Sequence, residues 1–229
     1  MEQKKQYTRR QRLENWFYYN KLWLLVGLVI LWVVGSMLWN VLGIGRTEPD
    51  CRILYVGSRQ LTEDCVQTLE QALAALAEDS NGDGTVTLVV TQCVTTSDGA
   101  LENQLYGYGA EITVLADITE GESHFFLLED PVDFQLSFQI LANPDGSTPA
   151  EDDFKALDKV YRWADCPVLA SLELGTYEDR YLDITETGEV QDLLKDLYLG
   201  RRYFLDSDQQ EDPEADNNFW QAITEGATQ

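Results

Sequence analysis

From Leu22 to Gly45 the chain carries no charged side chain, and most of those 24 residues are Leu, Val, Ile, Trp or Gly. A helix rises about 1.5 Å per residue and needs roughly 20 such residues to cross the hydrocarbon of a bilayer, so this stretch can span one with some tilt. Aromatic side chains flank it, Trp16, Phe17, Tyr18, Tyr19 and Trp23 on one side and Trp39 on the other, as expected at membrane interfaces. The sequence therefore predicts a single transmembrane helix over 22–45. A cleavable signal peptide would have a shorter apolar core followed by a small-x-small site, and Asn40 to Gly45 offers none.

Charge sets the expected orientation. Before the span stand Lys4, Lys5, Arg9, Arg10, Arg12 and Lys21 against Glu2 and Glu14, whereas only Arg46, Arg52 and Arg59 follow it closely. The positive-inside rule then places residues 1–21 in the cytoplasm and everything after the span outside the cell membrane. Residues 1–21 sum to +4, so the overall −24 leaves −28 on residues 22–229. A surface so acidic repels a nucleic-acid backbone, and no nucleic acid is expected as a partner.

Residues 46–50 read as a linker, 51–205 as an extracytoplasmic domain, and 206–229 as an acidic linker with a short amphipathic helix around Phe219, Trp220 and Ile223. The expected fold is α/β, a three-layer sandwich with a mostly parallel sheet. Ile53 to Gly57 and Phe125 to Leu128 have the continuous apolar character of strands buried on both faces. Thr62 caps a helix carrying Cys65, Leu69, Leu73 and Leu76, and β-branched Thr85 to Val94 completes a βαβ unit. A helix over 109–119, a further strand or an edge over 134–141 and a helix opened by the Thr148-Pro149-Ala150-Glu151 box and carrying Phe154 to Tyr161 are expected next. A strand over 167–174 and a helix over 190–198 follow.

The sharpest motif is Asp79-Ser80-Asn81-Gly82-Asp83-Gly84-Thr85. Side-chain oxygens on Asp79, Asn81 and Asp83, with the carbonyl of Thr85, fit the first half of a Ca2+ loop. Position 12 is Val90 rather than a bidentate Glu, and the same residues also make a helix-ending turn. His124 is the only histidine, and its place before a buried strand points to a structural role. No nucleophile elbow, dinucleotide turn or phosphate loop occurs, so an enzyme is not expected. Cys51, Cys65, Cys93 and Cys166 follow the span, where disulfides are permitted; the feasible bridges are 51–166 and 65–93, with free buried thiols as the alternative. In a doubly wound sheet, ligands bind beyond the C-terminal strand ends, where the loops with Ser58 and Arg59, Thr96 to Asp98, Glu129 and Asp130, and Thr176 to Glu178 would lie; Ser58, Arg59, Asp130 and Tyr177 are the candidate ligand contacts.

The Asp79 turn, the Phe125-to-Pro131 segment and Leu197-Tyr198-Leu199-Gly200-Arg201-Arg202 resemble membrane-anchored extracytoplasmic proteins of unknown function from Gram-positive, clostridia-like bacteria. The domain is also similar to one lobe of a solute-binding protein, although the chain is too short for two lobes. The first resemblance implies no activity. The expected function is an interaction module serving a membrane or envelope assembly through a protein partner. The alternative is a tethered small-ligand-binding or sensor domain.

Overall fold

A computed structural model describes residues 9–41, 48–95, 101–181, 184–204, 210 and 212–228; side-chain surroundings are described for fewer of the helical residues. The end of the apolar stretch at 42–45, the loop 96–98 and residues 205–209 and 211 lie outside the described set. The chain divides into two compact units, 1–47 and 48–229.

The first unit holds α1, Arg9–Val41. Its Trp16–Met37 portion is apolar and long enough to cross a membrane, and none of it is buried within the protein. At about 1.5 Å per residue the whole helix is some 50 Å long, more than the roughly 30 Å hydrocarbon thickness.

The second unit is α/β. Its strands β1 (Cys51–Gly57) and β2 (Leu88–Val94) are joined by α2 (Glu63–Ala74), which Thr62 caps through its side chain. The chain then passes through α3 (Leu101–Glu120) to β3 (Phe125–Leu128) and into α4 (Pro131–Phe138). A 3-10 turn at Ala156–Asp158 leads to β4 (Val160–Arg162) and α5 (Pro167–Ala170). A separate hairpin of β5 (Thr176–Tyr181) and β6 (Ile184–Glu189) precedes α6 (Val190–Leu194), β7 (Tyr198–Arg201) and α7 (Pro213–Thr224).

The five-stranded sheet has the order β2-β1-β3-β7-β4. β1 lies parallel to both β2 and β3, whereas β7 runs antiparallel to β3 and to β4, so the sheet is mostly parallel with one reversed strand. Alternate side chains feed two cores. Ile53, Tyr55, Phe125, Leu127 and Leu199 pack with α2, Trp163, Leu169, Phe219 and Trp220. Leu54, Phe126, Leu128 and Val160 pack on the other face with Ala110 and Val114 of α3 and Phe134 of α4. Such two-sided burial explains the continuous apolar runs Ile53 to Val56 in β1 and Phe125 to Leu128 in β3.

Several local expectations differ from the structure. Residues 134–141 begin within a helix, because Asp130 caps it by accepting from Val132 and Asp133, Pro131 sits in its first turn, and Gln139 closes it at φ 51°. The 148–161 segment is not one helix: Lys159 is buried with its ammonium 2.7 Å from Asp153, and Val160 to Arg162 pair with β7. Pro167 to Leu174 holds a short helix rather than a strand, and 198–201 is a strand rather than the end of a helix. The hairpin over 176–189 was not expected, and α7 begins six residues before Phe219, with Asp212 as its cap.

All four cysteines are free and buried. Cys65 lies in one core and Cys93 in the other, on opposite faces of the sheet, which removes the 65–93 bridge. Cys51 and Cys166 share a core as unbonded thiols. Burial, with help from neighbouring carboxylates, pushes the Cys93 and Cys166 thiols up to about 11.

Candidate functional site

The chain moves from β1 outward to β2 across one face, then returns over β1 to β3 across the other. Beyond the C-terminal ends of β1 and β3 it therefore leaves a topological switch point, where open α/β sheets form crevices. A groove of about 790 Å³ lies there, between the β1 and β3 ends and the helices α3 and α4. Gly57 makes the approach possible: a Cβ would collide with the Tyr55 hydroxyl and come within 3.1 Å of a Glu129 oxygen.

Glu129 is anchored rather than free. It accepts from the Ser58 amide, and from the Ser58 hydroxyl at 2.8 Å. Burial first and Glu129 second push the Tyr55 phenol up to about 12, and Tyr55 donates to the Arg59 carbonyl at 2.7 Å. Asp130 spends its carboxylate capping α4. The groove walls carry Ile112 and Leu115 from α3 and Phe134 and Phe138 from α4. Its charged lining is Glu111, Glu129, Asp130 and Asp133, with no Lys or Arg among the lining residues.

The four candidate ligand contacts divide. Ser58 and Asp130 line this groove, whereas Arg59 and Tyr177 do not. Arg59 instead clamps the β5–β6 hairpin: its guanidinium lies 2.9 Å from Glu186, 3.5 Å from Asp179 and 5.2 Å from the centre of the Tyr177 ring. Tyr177 donates to Glu186 at 3.1 Å. The Arg59 bond holds the Glu186 carboxyl below its usual value, with Tyr177 adding to the effect. Gly188 lets the Tyr177 ring lie flat, since a Cβ there would stand 3.0 Å from it. This cluster fastens the hairpin to the end of β1.

The Asp79 turn is closed by its own hydrogen bonds. Asp79 accepts from Gly82 and Gly84, Asn81 from Asp83, and Asp83 from Thr85, each at 2.8 Å. Asp50 ties the turn to the sheet by accepting from Ser80 at 2.8 Å, Asn81 at 3.0 Å and Thr87 at 2.7 Å. Burial opposes the Asp50 charge, but the bonds from Thr87, Asn81 and Ser80 outweigh it and hold the carboxyl below its usual value. Val90, the twelfth position, is buried in β2, with its amide donating to Glu70. Among the described residues no three His, Cys, Asp or Glu side chains converge to hold a metal.

At the opposite strand edge a polar cleft of about 240 Å³ is lined by Cys51, Arg52, Glu122, His124 and Asp216, among others. His124 Nδ1 lies 2.9 Å from Asp216, which also accepts from Gln210 at 2.6 Å. Burial first, then the Asp216 and Asp50 charges, push the Cys51 thiol far above its usual range, which makes it a poor nucleophile. The His124–Asp216 contact instead joins α7 to the start of β3. Asp216 carried no recognisable sequence signal, because the residues around it read as an acidic linker.

Comparison with protein-family models, curated proteins and solved structures finds no match.

Proposed function

We propose that this is a single-pass cell-membrane protein whose α/β domain is an extracytoplasmic interaction module of a membrane or envelope assembly. The observation that carries the interaction reading is one-sided exposure. Among the described residues of 48–229, the exposed large hydrophobic side chains are Ile112, Leu115, Val132, Leu136, Phe154 and Leu157. They belong to α3, α4 and the 3-10 region that contacts α4. The opposite face has its apolar residues covered by α2, α5 and α7. Concentrated exposed apolar surface marks interaction sites in soluble domains.

The apolar α1 helix and the basic residues before it support an uncleaved anchor with a cytoplasmic N-terminus. Helices on both sheet faces support a three-layer arrangement. A tethered ligand-binding domain is the second reading, favoured by the groove's position at the switch point. Crosslinking and co-purification of the full-length protein from its native membrane separates the two. A stoichiometric protein companion supports the module, and recovery of the protein alone transfers support to the ligand-binding reading.

A further inference from the structure

We propose that the groove between α3 and α4 receives a cationic amphipathic helix of a protein partner. This rests on the interaction reading and gives it a place and a chemistry. The groove presents two kinds of surface side by side. Ile112 and Leu115, 67% and 56% exposed, stand three residues apart on one face of α3 and offer an apolar wall. Glu111, beside Ile112, and Asp133, on α4, have no side-chain partner among the described residues, whereas Glu129 and Asp130 are engaged with Ser58 and the α4 cap.

A helix seats in such a groove through apolar residues at i, i+3 or i+4 and i+7. Lys or Arg beside those residues would meet Glu111 and Asp133 and neutralise a wall that contains no base of its own. The same charge argues against the other occupants of an apolar groove. A second copy would set Glu111 and Asp133 against the partner copy's own carboxylates. An anionic lipid surface would be repelled by the four acidic side chains and by the −28 carried after residue 21.

The probe is a fluorescent Leu/Lys amphipathic helical peptide of four turns, titrated by anisotropy into full-length protein in non-ionic detergent. The proposal expects binding that weakens with added salt and falls about tenfold in the Glu111→Lys/Asp133→Lys double variant, which reverses two exposed pairings. A Leu/Glu peptide of the same pattern should not bind. The Glu63→Lys/Glu173→Lys variant changes net charge equally at exposed positions outside the groove and should stay within about twofold of the unaltered protein. Equal weakening in both variants, or binding of the Leu/Glu peptide, would overturn the groove assignment.

A photoreactive phenylalanine at Leu115, or separately at Gln71 on exposed α2, tests the full chain in its native membrane. Adducts from Leu115 with a basic segment of another protein support the groove. Heterologous adducts from Gln71 alone refute the groove but leave the interaction module standing. Adducts with a second copy or with lipid refute the cationic helix, and no protein adduct from either position removes the interaction reading itself.

Discussion

Trp220→Ala should be among the most damaging single changes in the domain, because this one ring joins α7 to several other parts of the fold. The indole is 3% exposed and stacks on Phe125, with ring centres 6.2 Å apart and planes within 10°. Tyr161 approaches it at 5.9 Å, and the Arg201 guanidinium covers it at 5.6 Å. Its N–H donates to the Pro144 carbonyl at 2.9 Å, so the ring joins α7, β3, β4, β7 and the 144–147 turn. Truncating a buried Trp costs about 3–5 kcal/mol, and the site cannot collapse easily while Phe219 and Ile223 hold α7 in place. For a domain of this size about 1 kcal/mol corresponds to 2–4 °C, so a loss near 4 kcal/mol lowers Tm by roughly 8–16 °C. Trp220→Phe keeps most of the apolar contact and loses the hydrogen bond, about 1 kcal/mol or 2–4 °C. Near-ultraviolet circular dichroism during thermal unfolding measures both. A Trp220→Ala midpoint within about 2 °C of the unaltered protein would mean that α7 is not part of the core, refuting the packing argument.

Three further outcomes follow from the polar features. Asp50 has its carboxyl held below the unfolded value, so its stabilisation is present above about pH 4 and is lost as pH falls through the folded value. Asp50→Asn should therefore be less stable at neutral pH and show a smaller fall in acid, whereas parallel pH–Tm curves would contradict the assignment. Asp79→Ala should cost about 1–2 kcal/mol in calcium-free buffer, because the Gly82 and Gly84 amides lose their acceptor. Destabilisation seen only with millimolar calcium present would instead make the turn a cation site. Ellman's reagent should find almost no reactive thiol in the folded protein and four after denaturation without reductant, since all four are buried and free; fewer than four would mean that bridges form.

The parts of the domain that local sequence revealed are those where one neighbourhood decides the outcome. Thr62 caps α2 because Cys65, Leu69 and Leu73 follow at helical spacing, and the runs Ile53 to Val56 and Phe125 to Leu128 are apolar because both faces of the sheet are covered there. Where long-range contacts decide, local signals mislead. Thr148 to Glu151 has the sequence of a helix start, yet burial of Lys159 beside Asp153 and pairing of β4 with β7 take that segment elsewhere. Asp130-Pro131 reads locally as the end of a strand, yet it caps and opens α4. β5 and β6 are polar segments held by Arg59, a residue more than a hundred positions away, so their pairing had no local apolar signature. Ser58 and Asp130 line the groove at the β1 and β3 ends, whereas Arg59 and Tyr177 pack on each other.

In the proposed arrangement α1 anchors a domain displayed on the far side of the membrane from the basic N-terminus. Because the native thiols are buried, single introduced cysteines report topology cleanly. Membrane-impermeant maleimide applied to intact cells should label Glu173→Cys, on the exposed surface of the domain, and leave Gln3→Cys unlabelled until the membrane is opened. Labelling of Gln3→Cys with protection of Glu173→Cys would invert the orientation. Protection of both in intact cells, with both labelled in the soluble fraction after lysis, would contradict the membrane anchor altogether.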